Sequence, residues 1–280
     1  MLDLLVALLN GLSSGKPVDV SGLLSTPQTY DKVLYDASIL IHSTAVKPIT
    51  GIVISIIGCL MLTNQATRSD GDRGLALRII GMSLFKIALV LAMCQYAPIL
   101  LGGIAQISQF VSEHAWNTDI AGAGNGTAGH LGDQMRSALN DGGPLVQSAL
   151  IAFLMLPWLV VNGGDVIGIV LVFAVFLQLY IMGAFSSLPI AFLGHEETKS
   201  IGVGFLKRYG STALTTTVIV LVVKFYQALV ASWVPNLTFD GGDPALWLVG
   251  HTPQFLIAPV VLIVMLVKAP GIARAIVGEG

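Results

Sequence analysis

Charge is scarce in this sequence. Asp, Glu, Lys and Arg make up only 11% of its 280 residues, against roughly a quarter in a soluble domain. That is too little polar surface to cover a globule in water. Cysteine is scarcer still: Cys59 and Cys94 are the whole complement, which excludes a disulfide-framed scaffold. Both lie inside apolar runs and read as small core hydrophobes, with a bridge between helices as the alternative. A cationic excess is also missing. Fourteen Lys and Arg against sixteen Asp and Glu leave a formal net charge of −2, which excludes a broadly basic nucleic-acid-binding surface. A signal peptide does not fit the start, where Asp3 replaces the expected positive charge and Leu4–Leu9 is too short an apolar stretch.

What is abundant is apolar, at 54% hydrophobic residues and a mean hydropathy of +0.81. These residues come in continuous blocks of Leu, Ile, Val and Ala. A helix rises about 1.5 Å per residue, so about 20 such residues cross a hydrocarbon core of about 30 Å. In lipid every backbone polar group must pair internally, which leaves helices or a closed barrel, and the alternation of a barrel is lacking. The fold class is therefore all-α: a polytopic transmembrane helical bundle of about six spans with interfacial amphipathic helices.

The expected spans are 48–63, 79–101, 144–161, 165–182, 212–234 and 254–267. Asn162-Gly163-Gly164 ends the third, and Asp165 caps the fourth. Residues 1–46 read as an external amphipathic N-terminal segment, with apolar positions from Val33 to Ala45 recurring at helical spacing along the interface. Residues 47–280 form the bundle, with a large external loop at 102–143 and a charged cytoplasmic loop at 195–210. Short helices are expected within the larger loop at 104–116 and 131–139, and 235–250 reads as a connection rich in Gly, Pro and Asp.

Lys and Arg in short loops stay on the cytoplasmic side. The clusters Arg68/Arg73/Arg78, Lys199/Lys207/Arg208 and Lys268/Arg274 can all be cytoplasmic only if the crossings between them are even in number. Two clear spans plus the second one leave an odd count between Arg78 and Lys199. The proline-broken piece 183–194 must then cross as a short span or re-enter the membrane. The preferred orientation puts the N-terminus outside and the C-terminal tail inside.

Several short patterns imitate catalytic motifs without their context. Gly11-Leu12-Ser13-Ser14-Gly15 lacks the strand-to-helix turn of a nucleophile elbow. Gly15-Lys16 is followed by Pro17 and has the wrong glycine spacing for a phosphate loop. His195-Glu196 has Lys199 where a second zinc histidine would stand. Asn125-Gly126-Thr127 and Asn236-Leu237-Thr238 fit a glycosylation sequon. No catalytic set, metal site or cofactor follows, and the chain is not expected to be an enzyme.

Intramembrane polar residues carry more weight, because a charge in hydrocarbon is expensive and faces a partner or a wet cavity. Lys86 lies about two turns from Arg78 and can snorkel. Lys224 is nearer mid-span, either in an interior ion pair or facing a pore. Asp165 and Gln178 are further polar groups in spans, Gln178 as interhelical glue. Gly164 and Gly168 form a small-xxx-small face.

The stretch from Ser187 to Tyr209, followed by an apolar span, joins a proline-broken hydrophobic element to an amphipathic helix, with Ile201, Phe205 and Tyr209 on one face. This segment resembles the TrbL-type polytopic inner-membrane subunit of conjugative type IV secretion systems, in its Gram-positive mobile-element form. Pro189, the loop Glu196, Glu197 and Lys199, and then Phe205, Lys207, Arg208 and Tyr209 occupy the corresponding places. The likeness is specific over about residues 185–230 and architectural elsewhere. It departs in having no tryptophan in the aromatic helix. The resemblance implies a channel or scaffold subunit that helps translocate DNA–protein substrate, with those eight residues docking partners. Membrane lipid, a secretion ATPase, a bitopic scaffold protein and a coupling protein are the implied partners. Homo-oligomerisation and transient contact with single-stranded DNA and its relaxase are also implied. A stand-alone small-solute or ion transporter is the alternative.

Overall fold

The computed structural model describes residues 1–13, 21–68, 73–119, 131–233, 239 and 242–279. Ser14–Pro17, Asp70, Asp72 and both sequons lie outside these residues, as do the side chains of Arg68 and Arg73. The described chain is helical: α1 (Leu2–Ser13), α2 (Pro27–Tyr30), α3 (Lys32–Ile41), α4 (Lys47–Arg68), α5 (Arg73–Gln95), α6 (Ala97–Asn117), α7 (Leu131–Gln134), α8 (Arg136–Asp141), α9 (Gly143–Ala184), α10 (Ser187–Ala191), α11 (Lys199–Trp233) and α12 (Pro244–Val277). Four helical runs are long and apolar enough to cross a membrane, and a fifth candidate is a bent pair.

The six expected spans are therefore corrected in four places. First, 144–161 and 165–182 are one helix of 42 residues, α9, so Asp165 is an interior residue and not a cap. Glycine costs about 1 kcal/mol in a helix, but a break at membrane depth would strand several backbone groups at greater cost. The Asn162 amide also satisfies itself locally, donating to the Trp158 carbonyl at 2.7 Å. Second, 79–101 is broken at Tyr96, where α5 and α6 bend by 66°. Pro98 explains the break: in a continuous helix its ring would strike the Cys94 carbonyl. Third, the amphipathic segment before Lys47 is not a separate interfacial element. It runs through a π-helical turn, His42–Val46, into α4, making one run from Lys32 to Asn64. Fourth, the last helix begins at Pro244, within the expected connection. The expected 102–143 loop is likewise helical over 102–117, 131–134 and 136–141.

The chain forms two compact units. The first comprises residues 1–24, 111–173 and 217–269. Its apolar core joins Leu5, Leu9 and Leu12 of α1 to Leu131, Met135 and Leu139, and to Leu150 and Leu154 of α9 and Leu248 and Phe255 of α12. The three α1 leucines recur at spacings of four and three, one stripe of a helix. Gly132 lets α7 approach α1: a Cβ there would collide with the Val6 carbonyl and lie 2.9 Å from Asn10 Oδ1. Asn10 answers by accepting from the Gly132 N–H at 2.8 Å and donating to Asp133 at 3.1 Å. Gly164 packs close to Ile263 of α12, the small-residue contact anticipated for it.

The second unit comprises residues 25–110, 174–216 and 270–280. Here α4 and α5 pair, and α10 sits on both. Ile54, Val90, Cys94, Ala97, Ile190 and Ala191 form the core of that contact. Two polar contacts join the helices there: Thr50 Oγ1 meets Ser187 Oγ at 2.9 Å, and the Cys94 thiol donates to the Ser187 carbonyl at 3.4 Å, while the neighbouring buried Ser186 hydroxyl makes no hydrogen bond among the described residues. Both cysteines are free, and Cys59 is exposed on α4 where a core position was expected. The outer side of α4 presents Ile49, Ile52, Ile56 and Leu60, a stripe suited to hydrocarbon.

Candidate functional site

Ser187–Gly194 consists of a five-residue α-helix and one 3-10 turn. Eight residues reach only about 12 Å, so this piece does not cross a bilayer. It is a short inserted element, buried at Ser186, Ser187, Ile190 and Ala191. Gly194 closes it against Ile57 and Val90. The chain then reverses at His195–Thr198. The Thr198 hydroxyl donates to the Phe192 carbonyl at 3.0 Å, and the His195 Nδ1 accepts from the Glu197 N–H at 3.3 Å. That bond puts the neutral ring's proton on Nε2.

Helix α11 starts directly at Lys199. Its inward stripe is Gly202, Phe205, Leu206 and Tyr209, with Ile201 exposed. The apolar face is thus turned by one residue from the Ile201–Phe205–Tyr209 face expected from spacing. Gly202 sets this rotation. A Cβ there would lie 2.6 Å from the Leu193 side chain and 2.8 Å from the Pro189 carbonyl oxygen, so only glycine lets α10 and α11 come this close.

The residues assigned to partner docking therefore separate. Glu196, Glu197, Lys199, Lys207 and Arg208 are exposed, Pro189 and Phe205 are half-buried, and Tyr209 is buried at 4% exposure. Tyr209 instead lines a small, partly open cavity of about 40 Å³ with Tyr35 and Tyr180. Tyr180 donates to the Pro27 carbonyl at 2.8 Å.

A second grouping was not legible in the sequence. Lys86, Asn64 and Met61 share a cleft of about 130 Å³ with Gly194, His195, Glu196 and Glu197. It brings together the lysine expected within a span and a loop more than a hundred residues later. Neither glutamate lies within 4.0 Å of the Lys86 ammonium, so the cleft holds opposite charges apart across water-sized space.

Among the other polar residues expected within spans, Lys224 is 7% exposed. Its ammonium donates to the Trp116 carbonyl at 2.7 Å and lies 5.2 Å from the centre of that indole. Trp116 is in the last turn of α6, whose carbonyls have no partner within the helix. Lys224 thus caps α6, where a cation also complements the helix dipole. Asp165 is partly buried, with one carboxylate oxygen enclosed and unpartnered, and Gln178 is half-buried. Further interhelical bonds come from small hydroxyls. Ser108 donates to the Ala213 carbonyl at 2.7 Å in the second unit, and Ser112 meets Thr217 at 2.9 Å in the first.

No family model matches the chain, and no curated protein matches it.

Proposed function

We propose that this multi-pass membrane protein is a non-enzymatic channel or scaffold subunit of a conjugative type IV secretion machine, of the TrbL type. The observation that carries the reading is the junction at 187–208. A short inserted element is seated on two apolar helices and turns abruptly into α11, whose first turns expose Lys199, Lys207 and Arg208. This is the segment with the family resemblance, and its exposed cations suit docking of an acidic face on a secretion ATPase or coupling protein. α11 has 35 residues, about 52 Å, so its first turns can stand clear of a hydrocarbon core of about 30 Å.

The reading adopts five crossings: α4, the α5–α6 pair, α9, α11 and α12. Three contacts support that parity. α1 packs on α7 and α8, which favours an even number of crossings between them. The 195–197 turn shares a cleft with Met61 and Asn64, favouring an even number from the end of α4 to that turn. Ser211 near the start of α11 donates to Glu279 at 2.8 Å, favouring an even number across α11 and α12. Fusing the third and fourth expected spans removes the odd count, and all three Lys/Arg clusters then fall on one side. By the positive-inside rule that side is cytoplasmic, with the N-terminus external and the tail internal.

The test is affinity purification of the tagged protein from its native membrane in mild detergent, with co-purifying proteins identified by mass spectrometry. Recovery of a secretion ATPase with a bitopic scaffold subunit is expected, and its loss is expected in Lys207→Glu/Arg208→Glu. Recovery of the protein alone as a small stable oligomer refutes the secretion reading in favour of a stand-alone transporter.

A further inference from the structure

We propose that the cleft between α4, α5 and the 194–197 turn binds a phosphoethanolamine group, supplied by the headgroup of phosphatidylethanolamine. The proposal rests on the membrane-spanning reading, but not on the secretion assignment.

The cleft has three properties that select such a ligand. It is small: about 130 Å³ corresponds to about four waters of liquid volume and lies well below the roughly 300 Å³ of a drug-sized pocket. A headgroup fits, and acyl chains must remain outside. Its lining also carries charge of both signs, held apart. Lys86 offers an ammonium, and His195, whose Nδ1 already accepts from the Glu197 N–H at 3.3 Å, offers Nε2–H. Both donate to a phosphate. Glu196 and Glu197 accept from a primary ammonium. Because no ion pair within 4.0 Å joins the glutamates to Lys86, a zwitterion can enter without first breaking one. Finally, the depth is right. Lys86 lies eight residues from Arg78, about 12 Å along α5, and Met61 and Gly194 supply apolar or featureless wall in the same cleft. A lysine at that level reaches the headgroup region along its own alkyl stem.

The chemistry excludes close relatives of this headgroup. Phosphatidylcholine carries a quaternary ammonium with no N–H to give the glutamates. Phosphatidylglycerol has no cation, and its charge is repelled by them.

The test uses the full-length protein extracted from vesicles of equimolar phosphatidylethanolamine, phosphatidylcholine and phosphatidylglycerol, with retained lipid read by native mass spectrometry. Phosphatidylethanolamine is expected to be retained over the other two by at least about tenfold, the scale of one charge-assisted hydrogen bond. Glu196→Gln/Glu197→Gln is expected to abolish that preference, and Lys86→Met to remove retention of all three. In nanodiscs of phosphatidylcholine alone, soluble phosphoethanolamine should raise the unfolding midpoint of the wild type and leave the double glutamine variant unmoved. A response to the soluble compound without lipid retention overturns the lipid as source. Equal retention of all three lipids together with no response to phosphoethanolamine overturns the site. These readouts need no secretion partner, so their failure and that of the secretion reading are separable.

Discussion

Two glycines separated by one residue on α11, Gly202 and Gly204, should respond to the same substitution with opposite signs. Gly204 is exposed, and a Cβ there would meet nothing within 4 Å. Gly204→Ala should therefore gain the helix-propensity difference of about 1 kcal/mol. Gly202→Ala gains the same amount but must fit a Cβ where the Leu193 side chain stands at 2.6 Å and the Pro189 carbonyl oxygen at 2.8 Å. Leu193 can rotate; the carbonyl belongs to the backbone of α10 and moves only if the inserted element moves. Overpacking of this kind costs about 1–3 kcal/mol. With one neighbour immovable the upper part of that range applies, leaving a net loss of about 1–2 kcal/mol. The assay is the thermal midpoint of the purified protein in one detergent, read by size-exclusion fluorescence for wild type and both variants. The expected order is Gly204→Ala above wild type above Gly202→Ala. If Gly202→Ala is stabilised as much as Gly204→Ala, α10 does not pack against α11 and the geometry of the junction is wrong.

The same logic applies to α1. Gly132→Ala should undock it from α7 and expose Leu5 and Leu9, seen as new protease cleavage in the first thirteen residues, while Arg136→Ala, at an exposed ion pair with Asp3, should shift stability by under about 1 kcal/mol. Lys224→Leu should cost about 1–3 kcal/mol by leaving the Trp116 carbonyl unpartnered. Because Lys224 also lies over the indole, Trp116→Ala should cost less in the Lys224→Leu background than alone, and full additivity in a double-mutant cycle would refute the contact. For topology, single cysteines at Ser137 and Lys199 should label from opposite sides of the membrane with an impermeant maleimide, and labelling from the same side would defeat the five-crossing scheme.

Composition and block length suffice to class this chain as a multi-pass helical membrane protein, because backbone hydrogen bonding in lipid admits so few solutions. The apolar blocks themselves were legible, as were the helical stretch around 131–139 and the break after Gly183, whereas the short loop helix expected at 104–116 is the latter part of the 21-residue α6. What local signals misjudged were the joints. Asn162-Gly163-Gly164 has the letters of a loop, yet the helix runs through it, because at membrane depth the backbone has no water to turn to. Pro98 sits within an apolar block that hydropathy reads as one span, yet its missing N–H and its ring bend the chain there.

Tertiary structure alone decided which polar residues meet. Lys86 and Glu196–Glu197 are separated by five helices, α6 to α10, and no periodicity relates them; only the seating of α10 on α4 and α5 brings them to one cleft. Lys224 finds a helix end instead of a carboxylate because α6 ends beside it. Tyr209 is inside because Gly202, with no side chain, lets α11 roll toward α10. The sequence determines the solvent this protein lives in and the pieces that cross it. The close approaches at a few glycines, which depend on what stands opposite, decide how those pieces assemble a site.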